Sequence, residues 1–293
     1  MSLTLFCVIN PILGLSNFKA GLNPLHFILL LVSTTLIATA GYLLNDLEDM
    51  NVDSVNKPGR NIVGKKIRVH VVQILYWVFT ILGVLLGTYL SYSIGKINYS
   101  LVFVFAAGFL WFYSERYQCQ PLIGNIVIAF LSALTIAIVW LFYFFALIQS
   151  PEVFASVQLQ FNSLNTFILI FSGFAFVASL IREVVKDVED LKGDDRFGCR
   201  TFPVVYGIKK TKWLVISFVL LFLGLCVWCQ IYFFSIGFQW LFYYFFLIDL
   251  CILIILFELI KAKESNDYKK ISALAKVLMI VGVLSMTLVT FQI

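Results

Sequence analysis

The sequence predicts an all-α, polytopic membrane protein, a bundle of about nine transmembrane helices, and three observations carry that expectation. Hydrophobic residues make up 61% of the 293 residues and charged residues 13%, against the roughly one quarter charged that is usual in a soluble domain. Mean hydropathy is +0.96. The apolar residues also gather into runs of about 20, the length a helix needs to cross a bilayer.

The runs can be taken in order. Leu3 to Leu15 is apolar but shorter than a spanning helix, so it reads either as an abbreviated first helix or as one whose start is assigned late. No Lys or Arg precedes it, which argues against a secretory signal. Leu25 to Leu44 is long enough to span, and a polar stretch to Arg68 follows, with Lys57-Pro58-Gly59-Arg60 as a turn. Val69 to Ile94 spans next, and its Gly83-x-x-x-Gly87 allows a close helix approach. Tyr99 to Tyr113 makes the fourth crossing. The short polar loop Ser114 to Gln120 leads through Pro121 into the fifth, Leu122 to Ile148. Gln149 to Asn162 reads as a polar loop, and Ser163 to about Val185 as the sixth helix. Lys212 to Phe234, Trp240 to Ile260 and Ile271 to Phe291 complete the set. No linker interrupts the chain, so residues 1–293 read as a single membrane-embedded domain.

Loop charge sets the expected orientation. Of the 21 Lys and Arg, 18 fall at the ends of even-numbered helices, together with 14 of the 16 acids. Positive charge collects on the cytoplasmic side. The amino terminus is therefore expected inside, the carboxyl terminus outside, and both acidic clusters described next at the cytoplasmic face.

The stretch Asn45 to Arg60, N-D-L-E-D-M-N-V-D-S-V-N-K-P-G-R, packs Asp46, Glu48, Asp49 and Asp53 directly after an apolar run. At 3.6 residues per turn, Asn45, Asp49 and Asp53 share a stripe, with Asp46 beside them. Stacked like charges repel unless cations bridge them. Far downstream Asp187, Asp190 and Asp194 repeat the separations of Asp46, Asp49 and Asp53, again after an apolar run and among Arg182, Lys186, Lys192, Arg196 and Arg200. The two clusters read as facing halves of one site, and the match between helices two and six fits an internal duplication.

Carboxylates for a divalent metal beside cations for an anion suit a metal-bound diphosphate, since Mg²⁺ is typically held by one or two carboxylates plus phosphate oxygens. Were that diphosphate a leaving group on an allylic carbon, metal and basic side chains would stabilise its developing charge. An aromatic-lined cavity would meanwhile shield the allyl cation from water. The other polar features carry less. Cys226-Val-Trp-Cys229 has metal-knuckle spacing but lies in an apolar helix without a second pair, and so reads as core. His26 and His70 sit near helix starts without catalytic partners. Asp249, alone within the eighth helix, fits a structural polar contact as well as a substrate contact.

N-D-L-E-D-M-N-V-D with K-P-G-R, and R-E-V-V-K-D-V-E-D-L-K-G-D-D-R-F-G-C-R-T-F-P, resemble the two aspartate-rich signatures of the UbiA superfamily of intramembrane prenyltransferases. The likeness extends to Tyr113-Ser114 before P-L-I-G-N and to the helix count. The second signature is most similar to the digeranylgeranylglyceryl phosphate synthase-like branch. The resemblance implies a Mg²⁺-dependent enzyme that moves a prenyl group, geranylgeranyl in that branch, from an allylic diphosphate to a lipid acceptor such as a glycerophosphate ether lipid. It implies no nucleic-acid or protein partner.

Carried over by position, Asn45, Asp49, Asp53, Asp190, Asp194 and Tyr113 would be the catalytic set, with Asp49, Asp53, Asp190 and Asp194 on Mg²⁺. Lys57, Arg60, Lys186 and Arg116 would contact diphosphate, and Asp46, Glu183 and Asp187 would support them. Gln118 stands where the family has a lysine, with Arg116 as the nearby cation. An aromatic acceptor, a quinone precursor or homogentisate, is the alternative within the family. A divalent cation transporter is the alternative outside it, although that would place acids near the bilayer midplane rather than at helix ends.

Overall fold

A computed structural model describes residues 1–15, 21–56 and 62–292. Among the described residues eight helices are long and apolar enough to cross a membrane, which makes the chain an integral multi-pass membrane protein. A short apolar helix, α1 (Thr4–Leu13), precedes them. Ten residues at 1.5 Å each reach only about half of the hydrocarbon thickness. The ninth crossing expected from Leu3 to Leu15 is therefore a half-length helix, and it cannot support a terminus assignment by counting crossings. Its apolar face is nonetheless seated in the bundle: Leu5, Val8 and Ile9 are fully buried. Asn10 Oδ1 accepts a hydrogen bond from the Tyr143 hydroxyl at 3.1 Å.

Helix α2 (Pro24–Glu48) starts where its residue types favour a start. Asn23 caps it by accepting from the His26 N–H at 2.8 Å, and Pro24, which has no N–H to leave unpaired, takes the first helical position. A short helix α3 (Met50–Asn56) follows, then α4 (Val69–Ser93) and α5 (Ser100–Glu115). The glycine spacing in α4 is used as expected, against two different partners. A Cβ on Gly83 would lie 2.7 Å from Ile37 Cγ1 of α2, and one on Gly87 would lie 2.4 Å from the Phe103 ring of α5. Ser33 Oγ donates to the Gly83 carbonyl at 2.6 Å across the same seam.

Helix α6 (Ile123–Ile148) begins beyond Leu122, whose φ of 65° turns the chain sharply out of the preceding loop. Gly124 is required there, since a Cβ would sit 2.5 Å from the Tyr117 carbonyl oxygen. The segment expected as the loop Gln149 to Asn162 instead holds a further short helix, α7 (Pro151–Val157), again with proline at its start. It runs almost directly into α8 (Phe161–Glu189), so α8 is longer at both ends than its apolar core indicates. After the short α9 (Leu191–Arg196), α10 (Phe202–Ser235) starts ten residues before the expected Lys212 and is interrupted at Gly207, whose φ of 81° breaks the helical path. Helices α11 (Gln239–Lys261) and α12 (Asp267–Leu284) complete the bundle.

The bundle is built around α8, which packs on α6, α10 and α12. Its buried rings meet those of its neighbours: Phe167 and Phe233 lie 5.7 Å apart between centroids, and Phe174 lies 5.3 Å from Phe222. These separations are in the favourable range for aromatic pairs. Cys226 and Cys229 are buried in this core, as their apolar surroundings indicate. Asp249 bonds to Gln230 Nε2 of α10 at 2.6 Å, a structural contact between two membrane helices. Cys119 and Cys199, which sequence alone leaves as two scattered thiols, are brought side by side, with Cα atoms 4.4 Å apart, where the α5–α6 connection meets the α9–α10 connection.

Candidate active site

Each acidic cluster straddles the joint between a membrane helix and a short helix. Asp49 ends α2 with φ −80° and ψ 0°; Asp190 ends α8 with φ −89° and ψ 1°. The backbone ladder continues through both joints. Asp49 N–H bonds to the Asn45 carbonyl and Asp53 N–H to the Asp49 carbonyl, each at 2.8 Å. In the second cluster Asp190 N–H bonds to the Lys186 carbonyl at 2.9 Å, and Asp194 N–H to the Asp190 carbonyl at 3.2 Å. The stripe read from the i, i+4, i+8 spacing therefore survives the helix ends.

The two joints meet. Helix α3 packs against α9, and Asn56 closes the contact: its Nδ2 donates to the Asp190 carbonyl at 2.9 Å and its Oδ1 accepts from the Gly193 N–H at 2.8 Å. Gly193 leaves room for this, since a Cβ there would fall 2.4 Å from Asn56 Nδ2. Within the first cluster Asn45 Nδ2 donates to the Asp49 carboxylate and reaches Gln118 Oε1 at 3.5 Å. Gln118, the residue in place of a lysine, thus faces the acids. Arg116, the proposed substitute, is exposed at the end of α5 and does not line the cavity below them. Asp46 is exposed, while Asp53 is half-buried on α3. Lys57 and Arg60 lie outside the described residues.

In the second cluster Asp194 is buried, and the Thr201 hydroxyl donates to its Oδ2 at 3.2 Å. Burial, and then the neighbouring Asp190 and Asp49 charges, push its carboxyl up to about 7 despite that bond. Asp187, inside α8, accepts from Asn125 Nδ2 at 2.9 Å. Lys186 lies in the field of Glu183, Tyr113, Asp190 and Asp49, so it faces both clusters at once. Asn56, Asn125 and Thr201 are the residues that sequence reasoning missed. Their amide and hydroxyl groups carry no periodic signal, and only the fold brings them to the acids.

Below the acids a cavity of about 520 Å³ opens between α2, α5, α6, α8 and α12. Asn45, Tyr113, Glu183 and Lys186 mark its acidic end, and its walls are mainly apolar, from residues such as Ile37, Phe103, Ile128 and Ile138. Such a shape takes a long apolar tail with a charged head at the mouth. The donor set fits Mg²⁺. Among the described residues no three histidine, cysteine, aspartate or glutamate side chains converge closely enough to bind a metal by themselves. A Mg²⁺ diphosphate needs only one or two carboxylates from the protein, and the mutual repulsion of Asp49, Asp190 and Asp194 is the field a cation would relieve.

The model of the UbiA prenyltransferase family matches residues 13–281. The chain belongs to that family. It is a prenyltransferase, as the paired aspartate-rich segments indicate. Relatives include the digeranylgeranylglyceryl phosphate synthase of Methanobrevibacter smithii, 26% identical over 91% of this chain and 87% of that protein. The synthase of Sulfurisphaera tokodaii is 29% identical over 87% of this chain and 84% of its own length. Among solved UbiA structures, that of a digeranylgeranylglyceryl phosphate synthase covers all of this chain and 94% of its own, with a TM-score of 0.64 at 21% identity. A UbiA homologue from Archaeoglobus fulgidus bound to DMAPP and Mg²⁺ covers 98% of this chain and 96% of its own, with a TM-score of 0.55 at 15% identity.

Proposed function

We propose that this prenyltransferase is Mg²⁺-dependent and moves a geranylgeranyl group from an allylic diphosphate to a glycerophosphate ether lipid. The observation that carries this reading is the meeting of the two acidic joints through Asn56 at the mouth of one apolar cavity. The acceptor class is supported by relatives that are digeranylgeranylglyceryl phosphate synthases.

Asp49, Asp53, Asp190 and Asp194 would hold Mg²⁺ on the diphosphate, with Asn45 orienting Asp49. When bound, the metal supplies Lewis-acid stabilisation of the charge that gathers on the departing diphosphate. Lys186 contributes positive charge to the same oxygens, a task the family resemblance also assigns to Lys57 and Arg60, which lie outside the described residues. Asp187 and Glu183 keep Lys186 within an acidic frame, and Asn125 fixes Asp187. Tyr113 lines the cavity beside Lys186 and presents its ring to the allylic carbon as positive charge develops there. The apolar walls exclude water, so the acceptor hydroxyl rather than a water oxygen bonds to the allylic carbon as its C–O bond to diphosphate breaks, and the hydroxyl proton passes to the released diphosphate.

The excess of Lys and Arg in the loops on the acidic side supports a cytoplasmic mouth. The transporter alternative needs carboxylates at midplane breaks in the helices, whereas these acids sit at helix ends. The test is transfer by membranes containing the full chain, given geranylgeranyl diphosphate, Mg²⁺ and a panel of acceptors, with products identified by mass. Asp49→Ala and Asp190→Ala should each abolish the prenylated product while the protein stays membrane-inserted. Activity retained in both variants would refute the assignment.

A further inference from the structure

The cavity carries two cations that the diphosphate site does not use. Arg182 lies one turn before Lys186 on α8, and Lys276 reaches the same cavity from α12. Both sit in membrane-spanning segments, Arg182 in the last two turns of α8 and Lys276 near the middle of α12, where a cation costs roughly 2.5–3.5 kcal/mol on insertion scales and marks a function by default. Arg182 is paired with Glu183, the adjacent buried carboxylate. Lys276 has no hydrogen bond or ion pair with any described residue, whereas Lys270 on the same helix bonds to Glu258 at 2.8 Å.

Lys276 also stands at the opening of the cavity. Tyr42 of α2 is 75% exposed and Ile280 of α12 is 60% exposed, and both line the cavity with Lys276. Since α2 and α12 are membrane spans, the opening between them faces lipid, the route by which a membrane-dissolved acceptor would enter.

We propose that Lys276, with Arg182 nearby, binds the phosphate monoester of the acceptor lipid and so sets its free hydroxyl toward the allylic carbon. This rests on the prenyl-transfer reading above and specifies how the acceptor is selected. Arg182 is paired with Glu183, so Lys276 is the cavity cation left without a partner among the described residues, and a phosphate satisfies it. A glycerol phosphate carries its phosphate and its free hydroxyl on adjacent carbons. A cation that fixes the first leaves the second only a few bond lengths of freedom. A neutral alcohol would leave the Lys276 charge without a counter-ion at the cavity opening.

The test uses the purified full chain in lipid nanodiscs with geranylgeranyl diphosphate and Mg²⁺. Two acceptors, geranylgeranylglyceryl phosphate and its dephosphorylated alcohol, are compared by kcat/KM, with 4-hydroxybenzoate as a third arm. Wild type should prefer the phosphate. In Lys276→Gln that preference should fall roughly 10- to 100-fold, the range for losing a hydrogen bond to a charged group. The loss should lie in acceptor KM with donor KM unmoved, and Lys276→Arg should restore most of it. An unchanged preference in Lys276→Gln, or a donor KM that rises in step with acceptor KM, overturns the inference and leaves the transfer assignment standing. Transfer by wild type to the aromatic acid and to neither glycerol lipid overturns both.

Discussion

Asn56 bonds Asp190 and its neighbour from both ends of one amide, Nδ2 to the Asp190 carbonyl and Oδ1 from the Gly193 N–H. These contacts tie α3 to α9 and make two acidic segments, 134 residues apart in sequence, into one mouth. Asn56→Ala removes both bonds, and Gly193→Ala drives a methyl into the same amide. Each should raise the KM for the Mg²⁺ diphosphate donor by roughly an order of magnitude, from bonds worth about 1 kcal/mol each. The double variant should be little worse than either single one, because both break the same contact. Additive losses would show that the two residues act separately.

Asp194 gives a pH dependence with a fixed sign. Its carboxyl ordinarily ionises near 3.8, and in the fold burial and the Asp190 charge raise it to about 7. The folded state therefore holds a proton that the unfolded chain releases, so this group makes the metal-free protein less stable as pH rises from about 4 to about 7. Metal binding runs the other way, since the carboxylate must ionise to ligate. Mg²⁺ affinity, followed by calorimetry with a non-hydrolysable donor analogue, should rise with pH and level off above about 7. Thr201→Val removes the one hydrogen bond that favours the ionised form and should move that midpoint upward. A midpoint unmoved by Thr201→Val would exclude Asp194 as the titrating group.

Much of this architecture could be read in the chain, and the misreadings have definite causes. Apolar run length located the membrane helices because hydrocarbon imposes it. It failed at α1, where ten residues sit inside the bundle instead of spanning, and at the start of α10, where a short helical segment from Phe202, broken at Gly207 and followed by Lys209 and Lys210, precedes the apolar core. The acid stripe was legible because Asp49 and Asp190 each continue a helical ladder. Gln118 against Asn45 was not legible, because a lysine position filled by an amide has no counterpart in charge patterning. Lys276 did carry a signal, a cation inside an apolar run, yet loop counting sets aside residues between the loops.

Asn125 bridges α6 to Asp187 of α8; Asn125 is buried and Asp187 half-buried. Asn125→Leu takes the donor away and leaves a half-buried carboxylate with one partner fewer. The cost should be about 1–3 kcal/mol, read as a lower melting temperature in detergent. Replacing both partners, Asn125→Leu with Asp187→Leu, should recover much of that stability, since no unpaired polar group remains. The double variant should nonetheless transfer poorly, because Lys186 loses one of the acids that frame it. Stability regained without activity would separate the two roles of Asp187, as an anchor for α6 and as part of the field around the diphosphate. Full activity in the double variant would show that Asp187 serves packing alone.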